Sequence, residues 1–483
     1  MLYGCSFGSL VKRADYLYNL SLTLLGDKFT HGFIEKTLFR HFCAGVDEHD
    51  IVKPIKRLNA HGVGGILDYA AEAKEEGESP DDMVKEGKLP LKSSATARVH
   101  EYPNEAKFDQ NAEIFKHAIT AVHNVSPNGF AAVKLSALGE PALLERMSMA
   151  LIEIESFFAR LGEGSSKVSF DQFLMGWKRF FNFSSLEEVK ADFDRVDADK
   201  NGVIDIVDWM SSFSLMHLTK LVSLSKEEGP LFRAALNSEE LEQMDNLLRR
   251  CDEICALAAK LKVRVMIDAE WVAIQPAIDN TVMHMQRKYN SLSADHPVVF
   301  TTYQTYLVGS HERVRRDLDR SKREGWKFGA KCVRGAYMVS ERERASRLGI
   351  PSPIWPTYRD TEQNFHSVLA TLLADEGTEI MVASHNERTM NFVLNELFKL
   401  KSDKKNQVYF GQLLGMADHL TFTLAAHKYQ SYKYIPYGPV DEVMPYLIRR
   451  TQENSTLLGT PAVVMERKML FRELRRRLTT VKS

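Results

Sequence analysis

The 483-residue chain predicts an α/β fold, a (β/α)8 TIM-type barrel. Short apolar, β-branched runs recur eight times with helical patterns between them, the alternation expected of a parallel sheet built from βα units. Each run is followed at once by a polar residue or cluster, where a barrel of this kind gathers its chemistry. A hydrophobic fraction of 44% is ample for a large core.

In chain order, residues 1–58 read as a helical arm ahead of the barrel. Leu2 to Leu25 is mildly apolar with Lys12 and Arg13, but Asp15 argues against a transit peptide, and no signal peptide is evident. Residues 59–155 hold the first two strands, Gly64–Leu67 and Ala131–Val133. Residues 73–110 between them are charged and loop-like. Residues 156–235 form an insert. Residues 236–460 carry six further strands: Val263–Ile267, Val298–Thr301, Phe328–Val333, Ile380–Ala383, Val408–Phe410 and Tyr432–Ile435. Glu362–Leu373 and Glu387–Leu400 are among the helices between them. Residues 461–483 read as a basic amphipathic helix: Arg467, Lys468, Arg472, Arg475, Arg476, Arg477 and Lys482 accompany Leu470, Phe471, Leu474 and Leu478. Such a helix suits an anionic membrane surface or docking on its own domain.

The net charge of −1 gives no field for nucleic acid. Five cysteines without metal spacing point to a reducing compartment, with Cys251 and Cys255 a structural pair of thiols one helical turn apart. No apolar run reaches transmembrane length.

The polar residues behind the strands are Asp68 and Glu72, Lys134, Asp268 and Glu270, Gln304, Arg334, Ser384 and His385, Gln412, and Tyr437 beyond Tyr434. Eight such positions in register predict a lined cavity at the strand ends. After the fifth strand, Lys331-Cys-Val-Arg334-Gly335-Ala336-Tyr337 combines charge, a flat ring and small residues that admit close backbone approach, which suits an anionic aromatic cofactor. Near the C-terminus, Tyr446, Arg449, Arg450 and Glu453 share one helix face at about 100° per residue. Paired arginines suit bidentate capture of a carboxylate. A solvated face with i,i+4 pairs is the competing reading.

The insert contains Asp197-Ala-Asp199-Lys-Asn201-Gly202-Val203-Ile-Asp205-Ile-Val-Asp208. Oxygen-bearing residues at positions 1, 3, 5, 9 and 12, a backbone carbonyl from Val203 at 7 and glycine at 6 match the EF-hand calcium loop. Helices over Leu186–Val196 and Trp209–Leu221 are expected to flank it, with Leu161–Gln172 as a paired hand lacking ligands. Asp208 stands where glutamate gives bidentate coordination, so weak Ca²⁺ affinity or a shift toward Mg²⁺ is expected. A helical module that binds no metal is the alternative.

The phrases Leu67-Asp68-Tyr-Ala-Ala-Glu72, Val133-Lys134-Leu-Ser-Ala, Ile267-Asp268-Ala269-Glu270, Thr302-Tyr303-Gln304, Arg334-Gly-Ala-Tyr337, Ala383-Ser384-His385-Asn386, Gly411-Gln412-Leu413 and Tyr446 through Asn454 resemble the proline dehydrogenase family over residues 60 to 458. The insert resembles the animal mitochondrial branch. The resemblance implies non-covalent FAD over the strand ends and hydride transfer from L-proline C5 to flavin N5, giving Δ1-pyrroline-5-carboxylate. It further implies electrons passed to ubiquinone, peripheral contact with the inner mitochondrial membrane, and a place on its matrix face.

Residue by residue, it implies that Arg449, Arg450 and Lys134 clamp the substrate carboxylate, with Glu72 gating over Arg449. Tyr434, Tyr446 and Leu413 pack the proline ring with Tyr337 beside it, and Asp268 lies beneath, bonded to Tyr434 or Lys134. Asp268, Ala269, Gln304, Lys331, Val333, Arg334 and Gly335 are implied at the flavin. Ala336, Tyr337, Ser384, His385, Gln412 and Glu453 complete that set. Lys331 departs from the arginine common in the family; it keeps the charge and loses the fork. The sister hydroxyproline enzymes place serine where Tyr434 stands, so tyrosine favours unsubstituted proline. Two other readings compete: a barrel lyase or aldolase using Lys134 or Lys331 as a Schiff base, and a calcium-responsive scaffold with no activity.

Overall fold

The computed structural model describes residues 13–47, 49–70, 105–126, 128–182, 185–212, 215–226, 229–400, 403–457, 471–473 and 475–477. Helices α1 (Ala14–Leu25), α2 (Asp27–Ile34) and α3 (Val52–Asn59) lead into β1 (Val63–Tyr69). Then follow α4 (Glu105–Val125), β2 (Phe130–Val133) and α5 (Pro141–Leu161). The insert comprises β3 (Lys167–Ser169), α6 (Phe170–Phe180), α7 (Leu186–Val196), β4 (Val203–Asp205), α8 (Ile206–Ser212), α9 (Leu215–Leu224) and α10 (Pro230–Ala234).

After α11 (Ser238–Leu261) the βα alternation resumes: β5 (Arg264–Ile267), α12 (Gln275–Tyr289), β6 (Val299–Gln304), α13 (Ser310–Glu324), β7 (Gly329–Val333), α14 (Met338–Leu348) and α15 (Tyr358–Ala374). It closes with β8 (Glu379–Ala383), α16 (Glu387–Leu400), β9 (Val408–Leu413), α17 (Asp418–Ala426), β10 (Gln430–Tyr437) and α18 (Val440–Leu457).

Strands β1, β2 and β5 to β10 close into a parallel barrel in chain order, β10 returning to pair with β1. All eight expected strands are present. Successive side chains alternate between lumen and helix layer. Val265, Ile267, Ala330, Cys332, Ile380 and Val382 point outward into the apolar shell beneath the helices. Inward, Ile66, Phe130, Met266, Phe300, Met381, Tyr409 and Tyr432 fill the middle of the barrel. A Cβ on Gly64 would stand 2.3 Å from the Tyr432 ring, so the strand needs glycine there. At the lower end Arg264 reaches Glu379 at 3.4 Å and lies over Tyr409, whose hydroxyl donates to Glu379. The barrel is a plug closed below, with its polar layer above.

The helical arm is part of that upper layer's support. Ile34, Phe39, Phe42 and Cys43 pack with Met444, Tyr446 and Leu447 of α18. The Ala44 N–H donates to the Pro436 carbonyl at 2.9 Å, which ties the arm to the end of β10.

Two expectations change, and others fall on residues the structure does not describe. Residues 105–110 are helical, not loop: Arg250, itself buried, binds Glu105 and Asp109 and so ties the charged start of α4 to α11. Residues 71–104, with Glu72, lie outside the described residues, as does most of the C-terminal basic stretch. The helix expected over Trp209–Leu221 starts at Ile206, because the Asp205 carboxylate caps the Val207 and Asp208 N–H groups, and it continues as two segments. Cys251 and Cys255 are free, buried thiols; burial pushes Cys251 up to about 12, and Cys255 well above its ordinary value.

Candidate active site at the strand ends

Strand alternation decides which polar residues reach the mouth. Asp68 continues the inward series Gly64, Ile66; Lys134 continues Phe130, Ala132; Asp268 continues Arg264, Met266; Tyr434 follows Tyr432. Lys331 lies between Gly329 and Val333 on the inward face of β7.

These residues form one network. Asp268 accepts from Lys331 at 2.6 Å and from the Tyr434 hydroxyl at 2.7 Å, with Lys134 at 3.7 Å. Lys134 donates to Asp68 at 2.8 Å. Lys331 also stands 5.0 Å from the Tyr434 ring centroid, a cation–π contact. Burial would raise the Asp268 carboxyl, but Lys331 and Lys134 outweigh it and hold the group below the usual carboxylate range. Burial, then the Asp268 charge, lifts Tyr434 well above its ordinary value, so the phenol keeps its proton and donates.

Helix α18 lies over this network. Tyr446 is buried and close enough to Tyr434 for their hydroxyls to couple electrostatically. Arg450 is buried, with its guanidinium 4.9 Å from the Tyr446 ring. Arg449 stands 5.6 Å from the Tyr337 ring and reaches its hydroxyl at 3.4 Å. Leu413 is half-buried against the same cluster. The helix-face spacing thus places two guanidiniums over the mouth to which strand alternation brings two lysines. Asp68 pairs with Lys134 and Asp268 with Lys331, beside the aromatic walls of Tyr434, Tyr446 and Tyr337.

His385 follows β8, and burial together with Arg450 and Lys433 lowers it to about 3. It is neutral, and its Nε2 accepts the Leu413 N–H at 3.0 Å, which fixes Leu413 at the mouth. Lys433, facing outward on β10, ties the loop after β9 by donating to the Met416 carbonyl at 2.5 Å and pairing with Asp418 at 2.7 Å.

The turn after β7 carries the other predicted residues. Gly335 has φ +104°, a conformation that glycine adopts freely. Arg334 lies 4.3 Å from the ring of Tyr358, a residue not anticipated; its hydroxyl accepts from Asn386 at 2.6 Å. Gln304 donates to the Glu270 carbonyl and the Tyr306 hydroxyl, while its own Oε1 is buried without a partner among the described residues, as is Arg334 Nη1. An orphaned acceptor and an orphaned guanidinium nitrogen beside a glycine turn fit a flavin with its phosphates. Ala269 and Val333 flank this region, the Val333 carbonyl already accepting from Thr305, and Ser384 Oγ accepts the Asn386 N–H.

Not every strand-end residue converges. Glu270 turns to Ser136, and Tyr437 faces outward against Tyr69. Gln412 also faces outward: Thr421 donates to its oxygen and its nitrogen donates to the Ser384 carbonyl. The alternation Tyr409, Gly411, Leu413 inward was the signal for that placement. Glu453 lies in α18, and its side chain is outside what is described.

A family model described as proline dehydrogenase matches residues 51–460. The chain is 36% identical to proline dehydrogenase 1, mitochondrial, of Homo sapiens over 99% of this chain and 86% of that one. It is 35% identical to the Drosophila melanogaster protein of that name over 98% and 77% respectively. Similarity to a hydroxyproline dehydrogenase of Bos taurus, at 38%, covers 51% of this chain and 54% of that one. Among solved structures, proline utilization A from Bdellovibrio bacteriovorus, inactivated by N-propargylglycine, superposes with a TM-score of 0.57 at 16% identity. That match covers 88% of this chain and only 34% of that longer one, so it speaks for the fold alone.

Proposed function

This chain belongs to the proline dehydrogenase family, and on that premise we propose that it oxidises L-proline to Δ1-pyrroline-5-carboxylate with FAD as electron acceptor. The observation that carries this reading is the convergence of Arg449, Arg450 and Lys134 over a mouth walled by Tyr434, Tyr446 and Leu413. Guanidinium and ammonium groups are donors suited to a carboxylate, and a small saturated ring fits the aromatic walls.

Gln304, Lys331, Arg334, Gly335 and Ala336 would hold the flavin, with Asp268 beneath. When bound, FAD supplies the acceptor for the hydride leaving proline C5. The arginine pair and Lys134 bind and orient the substrate, so that much of the entropic barrier is met on binding. Asp268 holds Lys331, Lys134 and Tyr434 in one geometry, and Lys331 would supply positive charge to a bound flavin as it gains electrons. Both candidate Schiff-base lysines are paired with carboxylates, an arrangement opposite to the one that frees an amine for attack.

The mitochondrial names of the relatives support a mitochondrial location, and ubiquinone at the inner membrane is the electron acceptor proposed for the reduced enzyme. Tyr434 narrows the ring site and favours proline over trans-4-hydroxyproline.

The test is the visible spectrum of purified protein followed by anaerobic addition of each imino acid. Flavin bands that bleach with proline, and far less with trans-4-hydroxyproline, are expected. Colourless protein that cannot be reconstituted with FAD would overturn the proposal. A flavin that neither imino acid bleaches would leave the fold and remove the substrate.

A further inference from the structure

The calcium-type loop of the insert already contains a cation, and it belongs to the barrel. Arg323, in the last turn of α13, sends its guanidinium among the loop carboxylates. Its Nη2 lies 2.8 Å from Asp205 Oδ2 and 2.7 Å from Asp319 of its own helix. Its Nη1 lies 3.6 Å from Asp208 Oδ1 and 3.7 Å from Asp199 Oδ2. Those three loop residues are positions 3, 9 and 12 of the twelve.

The remaining oxygens are engaged by backbone. Asp197 accepts from the Asn201 and Gly202 N–H groups, one on each oxygen. Asn201 Oδ1 accepts from Val203. Asp208 Oδ2 accepts from the Asp205 N–H, which leaves one oxygen of that short side chain facing Arg323. Strands β3 and β4 pair antiparallel, with Val168 opposite Ile204, so the backbone is held whether or not a metal is present.

Calcium needs six to eight oxygens at about 2.3–2.6 Å, including a bidentate carboxylate at the twelfth position. This loop does not fit that requirement. Among the described residues, no group of three or more His, Cys, Asp or Glu side chains is set to hold a metal ion. A planar fork carrying one delocalised charge suits scattered monodentate carboxylates at hydrogen-bond range.

We propose that residues Asp197–Asp208 form an internal cation site whose occupant is the guanidinium of Arg323, so that the insert is latched to barrel helix α13 without metal, and that a divalent ion enters only by displacing this arginine. Asp205 and Asp208 are more buried than Asp199, so their charges depend most on the arginine. Removing it leaves three carboxylates facing one another, the condition under which a divalent ion gains affinity.

The test is calorimetric titration of the full chain with Ca²⁺ and, separately, Mg²⁺, comparing the unaltered protein with Arg323→Gln. The unaltered chain is expected to bind neither ion below about 1 mM, the weak end of EF-type sites. Arg323→Gln is expected to bind at least one of them tenfold or more tightly. In parallel, backbone hydrogen exchange in α7 and β4 should quicken in Arg323→Gln and slow again when the ion is added. Micromolar Ca²⁺ binding by the unaltered chain, unchanged in Arg323→Gln, would overturn the proposal. So would a variant that binds no ion. If Arg323→Gln does not fold, Arg323→Lys keeps the charge and loses the fork; a several-fold gain in ion affinity supports the latch, and none refutes it.

Discussion

Replacing Asp268 by asparagine should be the most informative change at the strand ends. The carboxylate receives Lys331 at 2.6 Å, the Tyr434 hydroxyl at 2.7 Å and Lys134 at 3.7 Å. Asparagine keeps the shape and one acceptor but removes the charge, leaving Lys331 buried without its counter-ion. Breaking a buried pair in this way costs about 3–5 kcal/mol. Lys134 retains Asp68, so the lower end, about 3 kcal/mol, applies here. An unfolding entropy of about 2.1 cal/mol/K per residue gives roughly 1 kcal/mol/K for a chain of this length unfolding as a unit, so Tm should fall by about 3 °C.

The sign with pH follows from the lowered Asp268 carboxyl. The folded state binds that proton less readily than the unfolded chain, so the contribution is full above the unfolded carboxylate range and is lost as pH falls through the folded value. The Tm gap between wild type and Asp268→Asn should therefore shrink in acid. Lys331→Met combined with Asp268→Asn removes both charges and should recover part of the loss in a double-mutant cycle. Calorimetry at matched flavin content measures all three. An unchanged Tm for Asp268→Asn, or a double variant no better than the sum of the singles, would refute the account of coupled buried charges.

Other perturbations give distinct readouts. Arg449→Met and Arg450→Met should each raise the proline KM with flavin retained; losing a charge-assisted contact of about 1.5–3 kcal/mol corresponds to roughly 10- to 100-fold, and an unchanged KM would end the carboxylate assignment. Tyr434→Ser should shift the kcat/KM ratio toward trans-4-hydroxyproline, measured by steady-state kinetics with both substrates. Gly335→Ala forces a side chain into φ +104° and should lower flavin occupancy, read from the absorbance ratio of purified protein. His385, lowered to about 3 by burial with Arg450 and Lys433, makes the unfolded state the better proton acceptor, so stability should fall as pH drops below about 6.5, by up to about 1.4 kcal/mol per pH unit. Denaturant titrations across that range should show a flatter slope for His385→Gln.

The sequence by itself determined the barrel. Alternating apolar runs can bury both faces only in a sheet covered by helices, and the eight expected strands are the eight that close. It also placed Arg449 and Arg450 on one helix face, since helical spacing is local. Three matters waited for the tertiary structure. Strand registry and inward alternation separated Asp68, Lys134, Asp268 and Tyr434, which meet, from Gln412 and Tyr437, which turn outward; strand ends alone do not say which face a residue takes. The pairing of Asp268 with Lys331 joins β5 to β7 across the lumen, a contact with no local signal. The loop at Asp197–Asp208 carries a metal pattern in its sequence, yet Arg323 arrives from a helix more than a hundred residues later to fill it. A side chain's electrostatic partner is set by whatever the fold brings within a few ångströms, and that information is not local to any motif.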